Sequence, residues 1–324
     1  MNRERIPMLS LGGEMADVEE QLAPAGFQVH RAEGPGSIET LLALHGAAIR
    51  AIATRGRDRL DAAFLARVPA LELIANYGVG YDSIDVETAA RRGIVVTNTP
   101  DVLNDEVADF AVALLLATVR RLPQADRFVR EGRWLKGNFP LGPTLRDRTI
   151  GLVGMGHIGE RIAKRLSAFE VPIVYHSRKR RAEVPYRHYP DLLAMAKDVD
   201  TLLAIVPGGP LTKGLISAAV LAALGPDGIF VNVARGSVVD EPALIEALRS
   251  GTILAAGLDV FADEPRVPHA LLELDNVVLL PHVGSATRHT RGRMGQLVVD
   301  NLRSWFEGRG PVTPVRETPW PRRG

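Results

Sequence analysis

Two kinds of segment in this 324-residue chain combine residue types and spacings that can do chemistry. The first is Thr149-Ile-Gly-Leu-Val-Gly154-Met-Gly156-His-Ile-Gly159, a β-rich run that enters a glycine turn and then a helical pattern. Gly154 suits the tight turn, Gly156 lets backbone approach a pyrophosphate, and Gly159 lets the helix pack close to its strand, with phosphates at the helix N-terminus. A second strand ends at Tyr175-His176, about 20 residues on, and that context favours a dinucleotide site over an ordinary tight turn. The end of this strand is where an acid would accept hydrogen bonds from the ribose of NAD. Here the residues are His176-Ser177-Arg178-Lys179-Arg180-Arg181, with no carboxylate until Glu183. A row of cations suits an extra 2′-phosphate, which arginine engages with a planar fork, so NADPH is the preferred cofactor and NADH a possible one. A solvated basic loop is the plainer alternative.

The second kind comprises three later segments: Val231-Asn-Val-Ala-Arg235-Gly-Ser-Val-Val-Asp240, Gly257-Leu-Asp259-Val-Phe-Ala-Asp-Glu264-Pro265 and Leu279-Leu-Pro281-His282-Val-Gly284-Ser285-Ala-Thr287. Each places polar residues just past a predicted strand, the edge of an open parallel sheet where ligands bind. Imidazole is the natural proton donor near neutrality, and a neighbouring carboxylate favours its charged form. Taken singly, Arg235 also reads as a helix cap or a partner of Asp240, Glu264 as an exposed acid before a proline, and His282 as one of eight histidines.

The elements that must position these residues are legible as an alternation. Strand-like runs at 6–10, 51–54, 73–76 and 94–98 are interleaved with helical runs at 17–23, 37–45, 61–67 and 86–91. A second series has strands at 150–153, 172–176, 201–205, 229–233, 254–258 and 277–280, with helices near 157–169, 192–196 and 241–250. Repeated βαβ units of this kind imply mostly parallel sheets covered by helices. An apolar helix over 104–121 separates the two series, and a segment with Gly132, Trp134, Gly137, Pro140, Gly142 and Pro143 follows it and reads as irregular. A last helical pattern, 287–306, is expected to return to the first domain, and the proline-rich tail from Gly310 is expected to be loose. Single cores stop growing at roughly 250 to 300 residues, so two domains with a cleft are expected.

Composition excludes several classes. With 39 Lys plus Arg against 38 Asp plus Glu, a formal charge of +1 offers no broad field for nucleic acid. A hydrophobic content of 46% is too high for a disordered chain. Without cysteine there is no disulfide framework, thiolate metal site or cysteine nucleophile. The histidines show no metal-ligand spacing, and no metal site is expected. The segment Met1 to Ser10 lacks the sustained apolar stretch of a secretion signal, and the window 110–119 is too short to cross a bilayer, so a cytoplasmic protein without membrane contact is expected.

Together with the loop Asn76-Tyr-Gly78-Val79-Gly80-Tyr-Asp-Ser-Ile-Asp85, these motifs resemble the D-isomer-specific 2-hydroxyacid dehydrogenases over residues 50 to 306, with the closest likeness to the glyoxylate/hydroxypyruvate reductase branch. The resemblance implies an α/β fold of two Rossmann/flavodoxin-like, doubly wound parallel-sheet domains with a cleft between them. Residues 1–99 plus 288–324 would form the substrate domain and 100–287 the NAD(P)-binding domain. It assigns Arg235 to the substrate carboxylate and carbonyl, His282 to proton donation and Glu264 to the partner of His282. Gly78, Val79, Gly80 and Ser285 would join Arg235 in binding substrate, the loop through backbone N–H groups. Cofactor contacts would come from Gly154, Gly156, His157, Ile158 and Gly159, from Ser177, Arg178 and Lys179, and from Val206, Pro207, Thr212, Val233 and Ala234. Asp259, which would orient the nicotinamide carboxamide, His282 and Gly284 complete that set. The chemistry makes the same demand: reducing a 2-keto acid needs a hydride, a proton for the alkoxide and a fixed cation for the carboxylate.

Some residues stay open. His157 occupies a variable position of its motif and reads as solvent-facing, and Ser285 reads equally as an N-cap before the last helix. Trp134 and Phe139 on the irregular arm read as interface anchors rather than pocket walls, and Tyr77 and Tyr81 lie in or beside the pocket. In this family two subunits commonly pair, so a homodimer contacting through helix 104–121 is expected. The rival readings are a dinucleotide-sensing corepressor on the same scaffold and the same chemistry on a bulkier 2-keto acid.

Overall fold

The computed structural model describes residues 5–13, 15–32 and 34–320. The first four residues of the N-terminal segment and Pro321 of the tail lie outside them. The chain forms two compact units, Met1–Leu103 with Thr287–Gly324, and Asn104–Ala286.

The first unit runs β1 (Ile6–Leu11), α1 (Ala16–Leu22), β2 (Phe27–Ala32), α2 (Pro35–His45), β3 (Ala51–Thr54), α3 (Ala62–Ala66), β4 (Leu73–Asn76), α4 (Val86–Arg91) and β5 (Val95–Thr97). Its five strands are parallel in the order β2-β1-β3-β4-β5. Strands β3 and β4 are buried at every position, as central strands covered on both faces must be, which explains their unbroken apolar composition. Strand β2 is absent from the sequence reading. It is an edge strand carrying Gln28, His30 and Arg31, so its apolar signal is interrupted.

The second unit runs α5 (Asn104–Val119), α6 (Leu122–Arg130), β6 (Ile150–Val153), α7 (His157–Leu166), β7 (Ile173–His176), β8 (Arg187–Tyr189), α8 (Leu192–Asp198), β9 (Thr201–Ala204), α9 (Ala218–Leu224), β10 (Ile229–Asn232), α10 (Glu241–Arg249), β11 (Ala255–Leu258), α11 (His269–Leu272) and β12 (Val277–Leu279). Its seven parallel strands follow the order β12-β11-β10-β9-β6-β7-β8, so the direction of winding reverses between β6 and β9. At such a reversal the loops past the strand ends diverge and leave a crevice for ligand. Asp191 and Asp240 cap α8 and α10 by accepting backbone N–H bonds.

Two expectations need correction. Residues 122–130 are helical: Arg121 breaks α5 in a left-handed conformation, and Pro123 falls in the first turn of α6, where its missing N–H costs nothing. The irregular stretch starts only beyond a single 3₁₀ turn, Arg133–Lys136. The tail is fixed as far as Trp320. Helix α12 (Arg288–Phe306) returns to the first unit, and the tail then pairs with the open edge of β5, where Val315 N–H donates to Val96 O at 2.8 Å and Val96 N–H donates to Thr318 Oγ1 at 2.9 Å. Trp305 and Trp320 stack edge to face at 4.5 Å. Helix α5 turns one side inward, where Ala108, Ala111, Leu114 and Leu115 join Leu152, Ile162 and Val231 in the core. Among the described residues no helix is long and apolar enough to cross a membrane.

Candidate active site

The glycine turn joins β6 to α7. Gly154 adopts φ +112, and a Cβ there would lie 2.5 Å from Ile205 O; one on Gly159 would lie 2.5 Å from Gly154 O. Neither position has room for a side chain. Gly156, the N-cap of α7, would instead project its Cβ into open space, so its backbone is open to approach at the helix N-terminus. His157 is exposed and Ile158 half-buried there. Val206, Pro207 and Thr212 follow β9, with the Thr212 hydroxyl donating to Pro207 O at 2.6 Å; Val233 and Ala234 follow β10. A dinucleotide fits these residues: open backbone where a pyrophosphate would dock, and strand-end loops on the same sheet edge.

The basic run past β7 divides into two groups. Arg181 is committed to the fold: it pairs with Glu160 and Glu183 and donates to Met155 O at 2.8 Å, which ties this loop to the glycine turn. Arg178, Lys179 and Arg180 are exposed and have no carboxylate partner among the described residues. Ser177 Oγ donates to Lys179 O at 2.7 Å and shapes the turn that carries them.

Arg235, Asp259, Glu264 and His282 come together past β10, β11 and β12. Buried Asn232 orders the first loop, its Oδ1 accepting from Ala234 N and its Nδ2 donating to Arg235 O at 3.0 Å. The next residue, Gly236, sits against the Phe261–Ala262 backbone, leaving no space for a Cβ. Phe261 N–H donates to Glu264 Oε1 at 3.1 Å, and the other carboxylate oxygen, Oε2, lies 2.7 Å from His282 Nδ1. Burial raises the cost of charge on Glu264. The hydrogen bond and charge of His282, the Phe261 N–H and the charge of Arg235 outweigh it and hold the carboxyl below its ordinary range. An ionised carboxylate only accepts, so Nδ1 carries the proton of that bond and Nε2 is left for a reactant. Asp240 spends its side chain capping α10 at Ala243.

His282 has φ +57, a left-handed conformation that costs a non-glycine residue roughly 1 to 3 kcal/mol. Asp259, 2% exposed, holds it there: its carbonyl accepts from His282 N at 2.8 Å, and its two carboxylate oxygens accept from Val283 N at 2.8 Å and Gly284 N at 3.0 Å. Burial pushes this carboxyl up to about 6 against those bonds and the charge of His282. The bracing roles of Asn232 and Arg181 escaped the sequence reading, and so did that of Asp259, whose hydrogen-bonded partner 24 residues away leaves no local signature. Ser285 is half-buried beside this loop, and the N-cap of α12 is Thr287, not Ser285.

Gly78, Val79 and Gly80 belong to the other unit, on the half-buried loop past β4. Tyr77 is buried and donates to Arg291 O at 2.7 Å, while Tyr81 donates to Glu317 at 2.9 Å. Trp134 is 64% exposed, whereas Phe139 packs edge to face on Phe128 at 5.4 Å.

Residues 112–284 match the family model of the D-isomer specific 2-hydroxyacid dehydrogenase NAD binding domain. Glyoxylate/hydroxypyruvate reductase A HPR2 of Arabidopsis thaliana is 44% identical over 275 residues, covering 85% of this chain and 88% of that protein. Hydroxyphenylpyruvate reductase of Plectranthus scutellarioides is 41% identical over 93% of this chain and 96% of its own. The solved structure of an NADPH-dependent glyoxylate/hydroxypyruvate reductase from Sinorhizobium meliloti, in complex with NADP and malonate, superposes with a TM-score of 0.93 at 50% identity, covering 99% of this chain and 100% of that one. With a glycine turn open at Gly156 and a histidine–glutamate pair beside an ordered arginine, the chain belongs to the D-isomer-specific 2-hydroxyacid dehydrogenase family.

Proposed function

We propose that this protein reduces small 2-keto acids, glyoxylate and hydroxypyruvate foremost, to 2-hydroxy acids with NADPH. The observation that carries the proposal is the His282–Glu264 pair, ordered at 2.7 Å in the same strand-end cluster as Arg235. NADPH, when bound, supplies the hydride that C2 of the keto acid receives. Arg235 holds the substrate carboxylate and carbonyl oxygen through its planar fork. His282, its Nδ1 engaged by Glu264, gives the proton on Nε2 to the oxygen that becomes the hydroxyl. Gly78, Val79 and Gly80 offer backbone N–H groups to the carboxylate, and Ser285, half-buried beside the His282 loop, joins them in binding substrate. Gly156 and the first turn of α7 hold the pyrophosphate, Arg178 and Lys179 the 2′-phosphate, and Asp259 the carboxamide. The unit 104–286 thus serves as cofactor domain and the unit formed by 1–103 and 287–324 as substrate domain.

NADPH consumption with a keto-acid panel tests the reading: turnover of glyoxylate or hydroxypyruvate with NADPH, favoured over NADH, supports it, and no turnover with any keto acid rejects it. A second reading keeps the chemistry on a bulkier acid and is favoured by the likeness to the Plectranthus hydroxyphenylpyruvate reductase. We place the homodimer contact on α5 together with the segment past it, where Val129, Trp134, Leu135 and Leu141 are at least half exposed. Reactants that are small water-soluble ions fit a cytoplasmic setting.

A further inference from the structure

The loop past β4 contains three consecutive backbone N–H groups, of Val79, Gly80 and Tyr81, that donate to nothing among the described residues. Their carbonyl counterparts are all engaged. Asn76 Nδ2 donates to Gly78 O at 3.0 Å and to Gly80 O at 2.9 Å, and Asn98 Nδ2 donates to Val79 O at 2.9 Å. In a planar trans peptide the C=O and the following N–H point in opposite directions. Fixing each carbonyl on an asparagine amide therefore turns the N–H group that follows it away from that asparagine.

Asn76 is 1% exposed, and its Oδ1 has no partner, so both hydrogens of its amide are spent on this loop; the reversed amide would set an acceptor against two carbonyls. Asn98 is anchored by the C-terminal tail. Its carbonyl accepts from Thr313 Oγ1 at 2.6 Å, and that hydroxyl in turn accepts from Asn301 Nδ2 at 2.9 Å, on buried α12 residue Asn301.

We infer that Asn76 and Asn98 are positioning residues that pre-organise the loop's N–H groups as a nest for the carboxylate of the substrate. The inference rests on the keto-acid reading above. Preorganised amides hold an anion without the cost of turning them at the moment of binding, and rows of N–H groups in such turns form anion-binding concavities.

The test compares Asn98→Ala and Asn98→Asp with wild type, and adds Asn76→Asp, using oxalate inhibition and steady-state kinetics with glyoxylate. Each variant with a wild-type melting temperature should raise the oxalate Ki and the glyoxylate KM about tenfold, the worth of one hydrogen bond to a charged group. KM for NADPH should stay at the wild-type value, which a general loosening of the fold would not allow. Should Asn76→Asp fail to fold, the half-buried Asn98 pair decides alone. A folded Asn98→Ala and Asn98→Asp with unchanged oxalate Ki overturn the inference. Wild type that binds oxalate yet reduces no keto acid would reject the activity instead, and the Ki comparison would still judge the two asparagines.

Discussion

The loop past β4 and the loop past β12 both follow buried parallel strands, yet they offer opposite parts of the chain. Past β12 the proposed chemistry is carried by a side chain, His282, and the backbone is bent into an uncommon conformation there. Past β4 the backbone is what is held: Asn76, at the end of β4, and Asn98, past β5, hold its carbonyls, and the N–H groups of Val79, Gly80 and Tyr81 have no partner among the described residues. Where a side chain acts, its own replacement should be ruinous. Where backbone acts, only its supports can be mutated, and each should cost a fraction.

The largest effect should come from His282→Asn, which removes the proposed proton donor and should lower kcat by about 10²- to 10⁴-fold in a glyoxylate assay. A kcat near wild type would end the distinction between the two loops. Arg235→Ala should follow, with kcat/KM for the keto acid falling roughly 10- to 100-fold through loss of charge-assisted hydrogen bonds, while KM for NADPH holds. Arg178→Ala should cut the ratio of kcat/KM for NADPH over NADH about tenfold and leave the NADH value alone, because only the 2′-phosphate loses a partner.

The smallest effect is on stability. The Asp259 carboxyl keeps its proton up to about 6 when folded, against about 4 in an unfolded chain. Between those values the folded state binds more protons, so this group makes stability fall as pH rises through the window. Denaturant titrations of Asp259→Asn, which does not titrate, should show a flatter profile between about pH 4 and pH 6, and an unchanged slope would mean that the carboxyl is not buried as described.

The same contrast explains what could be read from the sequence. The glycine turn was legible because its three glycines fall close together between a strand run and a helical run, and the central strands because burial on both faces leaves unbroken apolar runs such as Leu73 to Ala75. Arg235, Glu264 and His282 stood out by type and by position past strands. The supports did not: Asn98 meets Val79 through one amide and Thr313 through its carbonyl, and nothing in either local sequence announces the pairing. Edge elements were missed for a related reason, since β2 and β8 bury too little to keep a pattern. The tail read as loose from its prolines, although Pro314 removes a donor just where Val315 supplies the next one to β5.

A crystal structure with NADPH and oxalate, an unreactive stand-in for the keto acid, addresses the central claim directly. An oxalate carboxylate is expected in the fork of Arg235 and a second oxalate oxygen within hydrogen-bond reach of His282 Nε2, with Nδ1 still on Glu264. Oxalate bound out of reach of either Arg235 or His282 would contradict it.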